Sequence, residues 1–272
     1  MKLPSSLVFT VILAICLLPP TAFAIGDADS DCTFSKDFIT TLEYLREKKA
    51  LNLEENEARK VAQEVSLGCT GSAQRFIQIT GVLYRAGMPV KEVTRLGVDF
   101  AKRRDEEAST FIRVFETAFL SEYLDLDLKT SVTMAKSLSS EFSGDILAVR
   151  DDFLTLVEFC VNPKNLDLPK PQCGAFAANL ARKGENWSGG IAAPFIEIYG
   201  FVRTDKAGPG LTTSDALSVA QEIVGAGPWS AENFIQAYKY GSSPKGLGYT
   251  NRDALSFARK MAFQTASKPN SH

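Results

Sequence analysis

Two kinds of apolar stripe alternate along the chain. The first centres on a small residue, with a large apolar residue directly before it and another three positions after it. Within residues 211–240, Ala216, Val219, Ala220 and Ile223 are spaced i, i+3, i+4, i+7, which predicts one buried face of an amphipathic helix. We call this helix A. Its small residue recurs at Ala62, Gly97, Ala135, Ala177, Ala220 and Ala258.

The second stripe marks another helix, B, by a phenylalanine with an aliphatic residue directly after it. The pairs are Phe38-Ile39, Phe76-Ile77, Phe111-Ile112, Phe153-Leu154, Phe195-Ile196 and Phe234-Ile235. From each Phe to the next small residue the steps are 24, 21, 24, 24, 25 and 24 residues, and from each small residue to the next Phe they are 14, 14, 18, 18 and 14. These two intervals predict six B–A helical hairpins over about residues 33–263. We expect Asn52, with Glu55 three residues later, to cap the first A helix.

A single hairpin cannot bury its own stripe, so neighbouring hairpins should stack and share one core. We expect both members of each Phe-aliphatic pair, and the small residues, to lie in that core. The predicted fold is therefore all-α, an array of six antiparallel hairpins with about 12 helices. It resembles the α-solenoids, such as the TPR and HEAT classes, although the TPR pattern of tryptophan and glycine is absent. A closed α/α toroid is the alternative, and that resemblance would imply an enzyme with carboxylates in a central cavity.

The first 24 residues have the features of a signal peptide. Lys2 precedes an apolar run over 7–18, and Ala22-Phe23-Ala24 is an A-x-A cleavage sequence. The run is too short to span a bilayer comfortably. The sequence therefore predicts an exported protein, periplasmic or secreted, without a membrane span. The expected organisation is a cleaved signal peptide at 1–24, a short tail at 25–32, one helical-repeat domain at 33–266 and a frayed tail at 267–272.

Four cysteines follow the predicted signal peptide, and an even number in an exported chain indicates disulfides. Cys32 precedes the first B helix and Cys69 ends the A helix that pairs with it, so the hairpin brings the two together. Cys160 ends the fourth B helix, and Cys173 lies in the first turn of the following A helix. The predicted bonds are therefore Cys32–Cys69 and Cys160–Cys173. A metal site is the alternative, but no histidine lies among these cysteines.

Composition excludes several functions. The net charge is -2, the pI is about 5.7 and no basic stripe is present, which argues against nucleic acid or an anionic membrane as partner. His272 is the only histidine and the last residue, so the folded domain has no Ser-His-Asp triad. No nucleotide-binding motif occurs, and we expect no cofactor or metal. Carboxylates remain, and Glu158 and Glu197, both on B helices, are weak catalytic candidates.

The two 18-residue intervals suggest where a ligand could bind. Two neighbouring hairpins carry four extra residues in the same connection, around 139–145 and 184–190, and stacking places these connections on one edge. Protruding loops there would form a patch for a protein or peptide, whereas longer helices would absorb the same residues in about one turn. A comparable connection follows in the next hairpin. The candidate binding residues are Phe142, Glu185, Asn186, Trp187 and Trp229.

We therefore expect an exported scaffold or adaptor that binds a protein or peptide. One alternative is a carboxylate-dependent hydrolase or lyase acting on envelope or extracellular polysaccharide. The other is a structural spacer with no specific ligand.

Overall fold

The computed structural model describes residues 34–68, 70–140 and 144–266. Within these ranges the chain forms twelve α-helices and no β-strand, as the sequence predicts. The helices are α1 (Phe34–Arg46), α2 (Glu55–Ser66), α3 (Ser72–Arg85), α4 (Val90–Ala101), α5 (Asp105–Phe119), α6 (Leu128–Ser139), α7 (Ile146–Val161), α8 (Lys170–Lys183), α9 (Ala192–Arg203), α10 (Thr213–Val224), α11 (Ser230–Ser242) and α12 (Asn251–Ala266). The predicted signal peptide, the Cys32–Cys69 bond and Phe142 lie outside the described residues.

The helices pair in chain order into six hairpins. Odd-numbered helices are the predicted B helices and even-numbered helices are the A helices, and each B helix packs most extensively against the A helix that follows it. Neighbouring hairpins contact each other mainly B to B, and less extensively A to A. Among the described helices, every extensive contact between hairpins joins hairpins adjacent in the chain. A closed toroid would need such a contact between the first hairpin and the last, so the contacts are those of an open array.

The small residues and the Phe rings meet in the core as predicted. All six small residues are buried, and five of the six Phe markers are fully buried; Phe38 is partly buried. Gly97 illustrates why the A position must be small, since a Cβ there would lie 2.8 Å from two ring carbons of Phe76. That distance is too short for carbon atoms in contact. Close approach of the helices in this hairpin therefore depends on glycine.

The aliphatic partners of the Phe markers correct one expectation. We predicted both members of each pair in the core, but only Ile235 of the six aliphatic partners is buried. Ile39 is 47% exposed, and Ile77, Ile112, Leu154 and Ile196 are half-buried at the edge of the core. A half-buried aliphatic residue therefore recurs on the outer surface of successive B helices, which we call the B face.

Each B-to-A turn contains the same three-residue motif. The first residue has a left-handed backbone, with φ between 48° and 87°. The second residue is large and apolar, and the third directly precedes the A helix. The second residue donates its N–H to a carbonyl near the end of the B helix, as Leu126 does to Ala118 at 2.8 Å. The motifs are Asn52-Leu53-Glu54, Gly87-Met88-Pro89, Asp125-Leu126-Asp127, Asp167-Leu168-Pro169, Gly210-Leu211-Thr212 and Gly248-Tyr249-Thr250.

This motif explains why the predicted cap at Asn52 is wrong. Asn52 supplies the left-handed residue of its turn, with φ 49°, and Glu54 is the residue that precedes α2. Asparagine tolerates this conformation better than most residues because its short side chain can bond to nearby backbone. The side chain of Glu54 makes no capping hydrogen bond.

The predicted disulfide in the fourth hairpin is confirmed. Cys160 near the end of α7 is bonded to Cys173 in the first turn of α8, and their Cα atoms are 5.6 Å apart. Antiparallel pairing of the two helices brings these ends together. The bond therefore closes the turn formed by residues 162–169.

Candidate functional site

The B face carries three adjoining grooves between successive B helices. The α1–α3 groove has a volume of about 670 Å³, the α3–α5 groove about 440 Å³ and the α5–α7 groove about 680 Å³. Ile77 lines both of the first two grooves, and Arg113 lines both of the last two. The three grooves therefore adjoin one another along four B helices, from the first hairpin to the fourth.

The exposed aliphatic residues form part of these grooves. Ile77 and Ile112 line the α3–α5 groove, and Leu154 lines the α5–α7 groove. The register of the repeat explains this placement, because the residue after each Phe marker is rotated away from the A helix and toward the neighbouring B helix. A groove with an apolar floor and charged rims can bind a peptide segment.

The three grooves differ in charge. Arg85 and Arg113 line the α3–α5 groove, and no carboxylate lines it. The α1–α3 groove has Arg46 between two glutamates, Glu43 and Glu47. The α5–α7 groove has one guanidinium, from Arg113, and three carboxylates, from Glu116, Glu122 and Glu158. The charge along the B face therefore changes sign from groove to groove.

Grooves on the A helices are separate from one another. The α6–α8 groove has a volume of about 470 Å³ and the α2–α4 groove about 260 Å³. They share no lining residue. These two grooves on the A helices therefore do not adjoin each other as the B-face grooves do.

The weak catalytic candidates are both exposed. Glu158 lies on α7 in the α5–α7 groove, and Glu197 lies on α9 outside the lining of that groove. The two carboxylates therefore do not line the same groove.

The structure describes part of the predicted edge patch. Gly144 lies against the connection at 184–190, since a Cβ on Gly144 would collide with the Glu185 carbonyl and lie 3.2 Å from the Asn186 side-chain oxygen. Glu185 is half-buried and Asn186 is exposed. The Trp187 ring is half-buried and packs against the core, whereas Trp229 is 68% exposed. Part of the Trp187 side chain therefore packs in the core, and only the remainder is accessible to a partner.

The extra residues in these two units are placed differently. In the fourth hairpin α7 begins at Ile146, seven residues before Phe153 (153 − 146), so part of the insertion lengthens the helix. In the fifth hairpin α9 begins only three residues before Phe195 (195 − 192), and the insertion lies mainly in the connection at 184–191. Both of the alternatives derived from sequence therefore occur, one in each hairpin.

A buried carboxylate holds the second connection in place. Asp152 on α7 accepts hydrogen bonds from the backbone N–H groups of Ile191 at 2.8 Å and Ala192 at 2.9 Å, which are the first free donors of α9. Burial raises the pKa of Asp152, and these two hydrogen bonds oppose that shift. The connection carrying Trp187 is therefore anchored to the preceding hairpin.

No group of three or more His, Cys, Asp or Glu side chains in the described ranges could hold a metal ion. None of the described helices is both long enough and apolar enough to cross a membrane.

Comparisons with protein-family models, with curated proteins and with solved structures found no match to this chain. The class that the fold defines is an all-α array of helical hairpins.

Proposed function

We propose that the protein is an exported scaffold that binds a peptide or a segment of another protein along the B face. The observation that carries this proposal is that the three grooves adjoin one another, with Ile77 lining the first two and Arg113 the last two. Half-buried aliphatic residues in a groove favour a ligand that covers them, because covering apolar surface stabilises a complex by about 25 cal/mol per Å². The signal-peptide features at 1–24 support the exported part of the proposal.

The B face is a better candidate than the edge patch. Trp187 contributes much of its ring to the core, so it offers less surface to a partner than its sequence context suggests. Trp229, which is exposed, is the residue of the edge patch best placed to act as an additional anchor, since tryptophan is enriched at energetically important contacts. The grooves instead combine volume, apolar surface and charge over four helices.

A carboxylate-dependent hydrolase finds less support. Glu158 and Glu197 are exposed and stand on different B helices, α7 and α9. A spacer without a ligand would not need aliphatic side chains in surface grooves, where they cost solubility. Binding of a peptide segment is therefore the function to test first.

The test uses the oxidised chain and a displayed library of random peptides. Peptides enriched on the wild-type chain are synthesised, and their affinities are measured for Ile77→Thr and Leu154→Thr. Both substitutions shorten an aliphatic side chain and add a hydroxyl to the groove. We expect each substitution to weaken binding about tenfold, which corresponds to about 1.4 kcal/mol. The matched controls are Val61→Thr and Val98→Thr, which change half-buried valines in the α2–α4 groove.

The outcomes separate the two faces of the array. Loss of binding in the B-face variants, with unchanged binding in the A-face variants, supports the proposal. Equal affinity in all four variants would overturn it, provided that circular dichroism shows each variant to be folded. A parallel Trp229→Ala variant reports whether the edge contributes.

A further inference from the structure

The α5–α7 groove has the features of a pocket for one kind of side chain. Helices α5 and α7 form its walls, and the turn after α5 folds across one end, where Leu120 is 41% and Tyr123 is 43% exposed. Leu154 supplies half-buried apolar surface from α7. Large apolar side chains exposed side by side in a concave site favour an apolar ligand group.

The charges in this groove are not balanced. The Arg113 guanidinium lies 3.9 Å from the Glu116 carboxylate, so this pair accounts for one charge of each sign. Glu122 and Glu158 form no ion pair within the described residues. Two carboxylates beside apolar surface favour a cation that carries its own apolar stem, as the side chains of lysine and arginine do.

The charges of the neighbouring groove favour one orientation of a bound peptide segment. The α3–α5 groove is lined by Arg85 and Arg113 and by no carboxylate, so it repels a cation that the α5–α7 groove attracts. Charges of opposite sign in adjoining grooves fix the register of a bound segment, because a shifted segment would place like charges together.

We propose that the α5–α7 groove binds a lysine or arginine side chain of the partner together with the bulky apolar residue beside it. The cation lies between Glu122 and Glu158, and the apolar residue covers Leu154 and Tyr123. The Tyr123 ring can also stack with the cation. This inference rests on the proposed function, since it names the partner chemistry of one groove on the same face.

The test uses the same displayed peptide library on the oxidised chain and on a double variant, Glu122→Gln with Glu158→Gln. Peptides enriched on the wild-type chain should contain Lys or Arg next to a bulky apolar residue more often than the library does. A selected peptide should bind the double variant about tenfold more weakly, within the range seen for close charge pairs at interfaces. The matched control is Glu57→Gln with Glu64→Gln, which removes two carboxylates from the α2–α4 groove on the A helices.

A second measurement assigns the effect to the proposed contact. Replacing the basic residue of the selected peptide by glutamine should weaken binding to the wild-type chain and have little further effect on the double variant. Peptides without an enriched basic residue, or equal affinity for wild type and double variant, would overturn this inference. The proposed function would still stand if Leu154→Thr abolished binding, and it would fail if no enriched peptide depended on Ile77 or Leu154.

Discussion

Asp37 and Asp152 occupy the same position of the repeat, directly before a Phe marker, and each binds the first turn of the next B helix. Asp37 on α1 accepts a hydrogen bond from the Ser72 hydroxyl at 3.1 Å, and Asp152 on α7 accepts two from the start of α9. Both carboxylates are buried. This register position therefore links successive hairpins by polar contacts, while the Phe next to it links them through the core.

The link at Asp152 should contribute measurably to stability. Asp152→Ala leaves two N–H groups of α9 without their acceptor, and loss of such a cap costs about 2 kcal/mol. Asp152→Asn keeps one acceptor oxygen and should cost less. Urea unfolding measures both. The control is Asp151→Ala on the exposed side of α7, where a change within about 0.5 kcal/mol is expected. A loss at Asp151 as large as that at Asp152 would contradict this account.

Asp152 should also give stability a pH dependence of defined sign. Burial raises its pKa in the folded chain above the ordinary value of 3.8, so the folded chain binds this proton more readily than the unfolded chain. Stabilisation from this group is therefore complete below pH 3.8 and is lost as the pH rises through the folded-state pKa. Asp152→Asn lacks this titration. The stability difference between wild type and this variant should shrink from acid pH to neutrality, and a widening difference would contradict the assigned direction.

Arg75 occupies the same register position in the second hairpin and binds different groups. Its buried guanidinium donates to the Ala101 carbonyl at 2.9 Å, to the Thr70 carbonyl at 3.1 Å and to the Asp105 carboxylate at 2.7 Å. These partners belong to the end of α4, to the preceding connection and to the start of α5. The planar fork of arginine allows one side chain to reach all three.

Arg75→Lys should therefore destabilise the chain although it conserves charge. An ammonium group cannot bond to the three partners in that geometry, and lost hydrogen bonds to a buried charged group cost about 1.5–3 kcal/mol each. We expect a total loss of about 2–4 kcal/mol in urea unfolding, because water will bind some of the exposed acceptors. Arg59→Lys, at a side chain 60% exposed, should change stability by less than about 0.5 kcal/mol. Equal effects at the two positions would refute the role assigned to Arg75.

The repeat register could be read from the sequence because packing imposes it directly. A Phe such as Phe76 needs a small residue such as Gly97 opposite it, and that requirement fixes a spacing that survives changes in loop length. The Cys160–Cys173 bond followed from the same register, since it is set by which helix ends meet. Periodicity thus carries information about contacts within a hairpin.

The partial exposure of the aliphatic residues on the B face could not be predicted from the apolar periodicity. Ile77 and Leu154 continue an apolar stripe, and a stripe predicts burial without saying which element covers it. Their position depends on how far neighbouring B helices stand apart, which is a property of the stacked array. Glu158 likewise belongs to a groove because residues of α5 and of the turn carrying Tyr123 line that groove together with α7.

The turn motif was present in the sequence but was missed. Its third residue lies eight positions before the small residue of the A helix in every unit, as in 62 − 54 and 135 − 127. Its first residue is Asn, Asp or Gly, the types that tolerate a left-handed backbone. The search for apolar periodicity passes over Asn, Asp and Gly. The constant spacing of eight positions to the small residue was the signal that could have revealed the motif.

Asp125 tests the left-handed position of this motif, because its φ is 53°. Asp125→Gly removes the steric cost of a Cβ and should leave stability unchanged or raise it by up to about 1 kcal/mol. Asp125→Ala keeps the Cβ and loses the polar group, and should destabilise by about 1 kcal/mol. Thermal unfolding followed by circular dichroism measures both. An alanine variant as stable as the glycine variant would show that the backbone conformation is not limiting there.

Two buried tyrosines with different hydroxyl environments give a paired test of the core. The Tyr199 hydroxyl donates to the Asn165 carbonyl at 3.1 Å, whereas the Tyr238 hydroxyl is buried without a hydrogen-bond partner in the described part of the chain. Tyr199→Phe should destabilise by about 1 kcal/mol, because it removes a hydrogen bond and leaves a carbonyl unpaired. Tyr238→Phe should stabilise by up to about 1 kcal/mol, because it removes a desolvated hydroxyl and keeps the ring packed 5.5 Å from that of Phe201. Urea unfolding of both variants measures the difference, and destabilisation of equal size at the two positions would show that the Tyr238 hydroxyl does have a partner in solution.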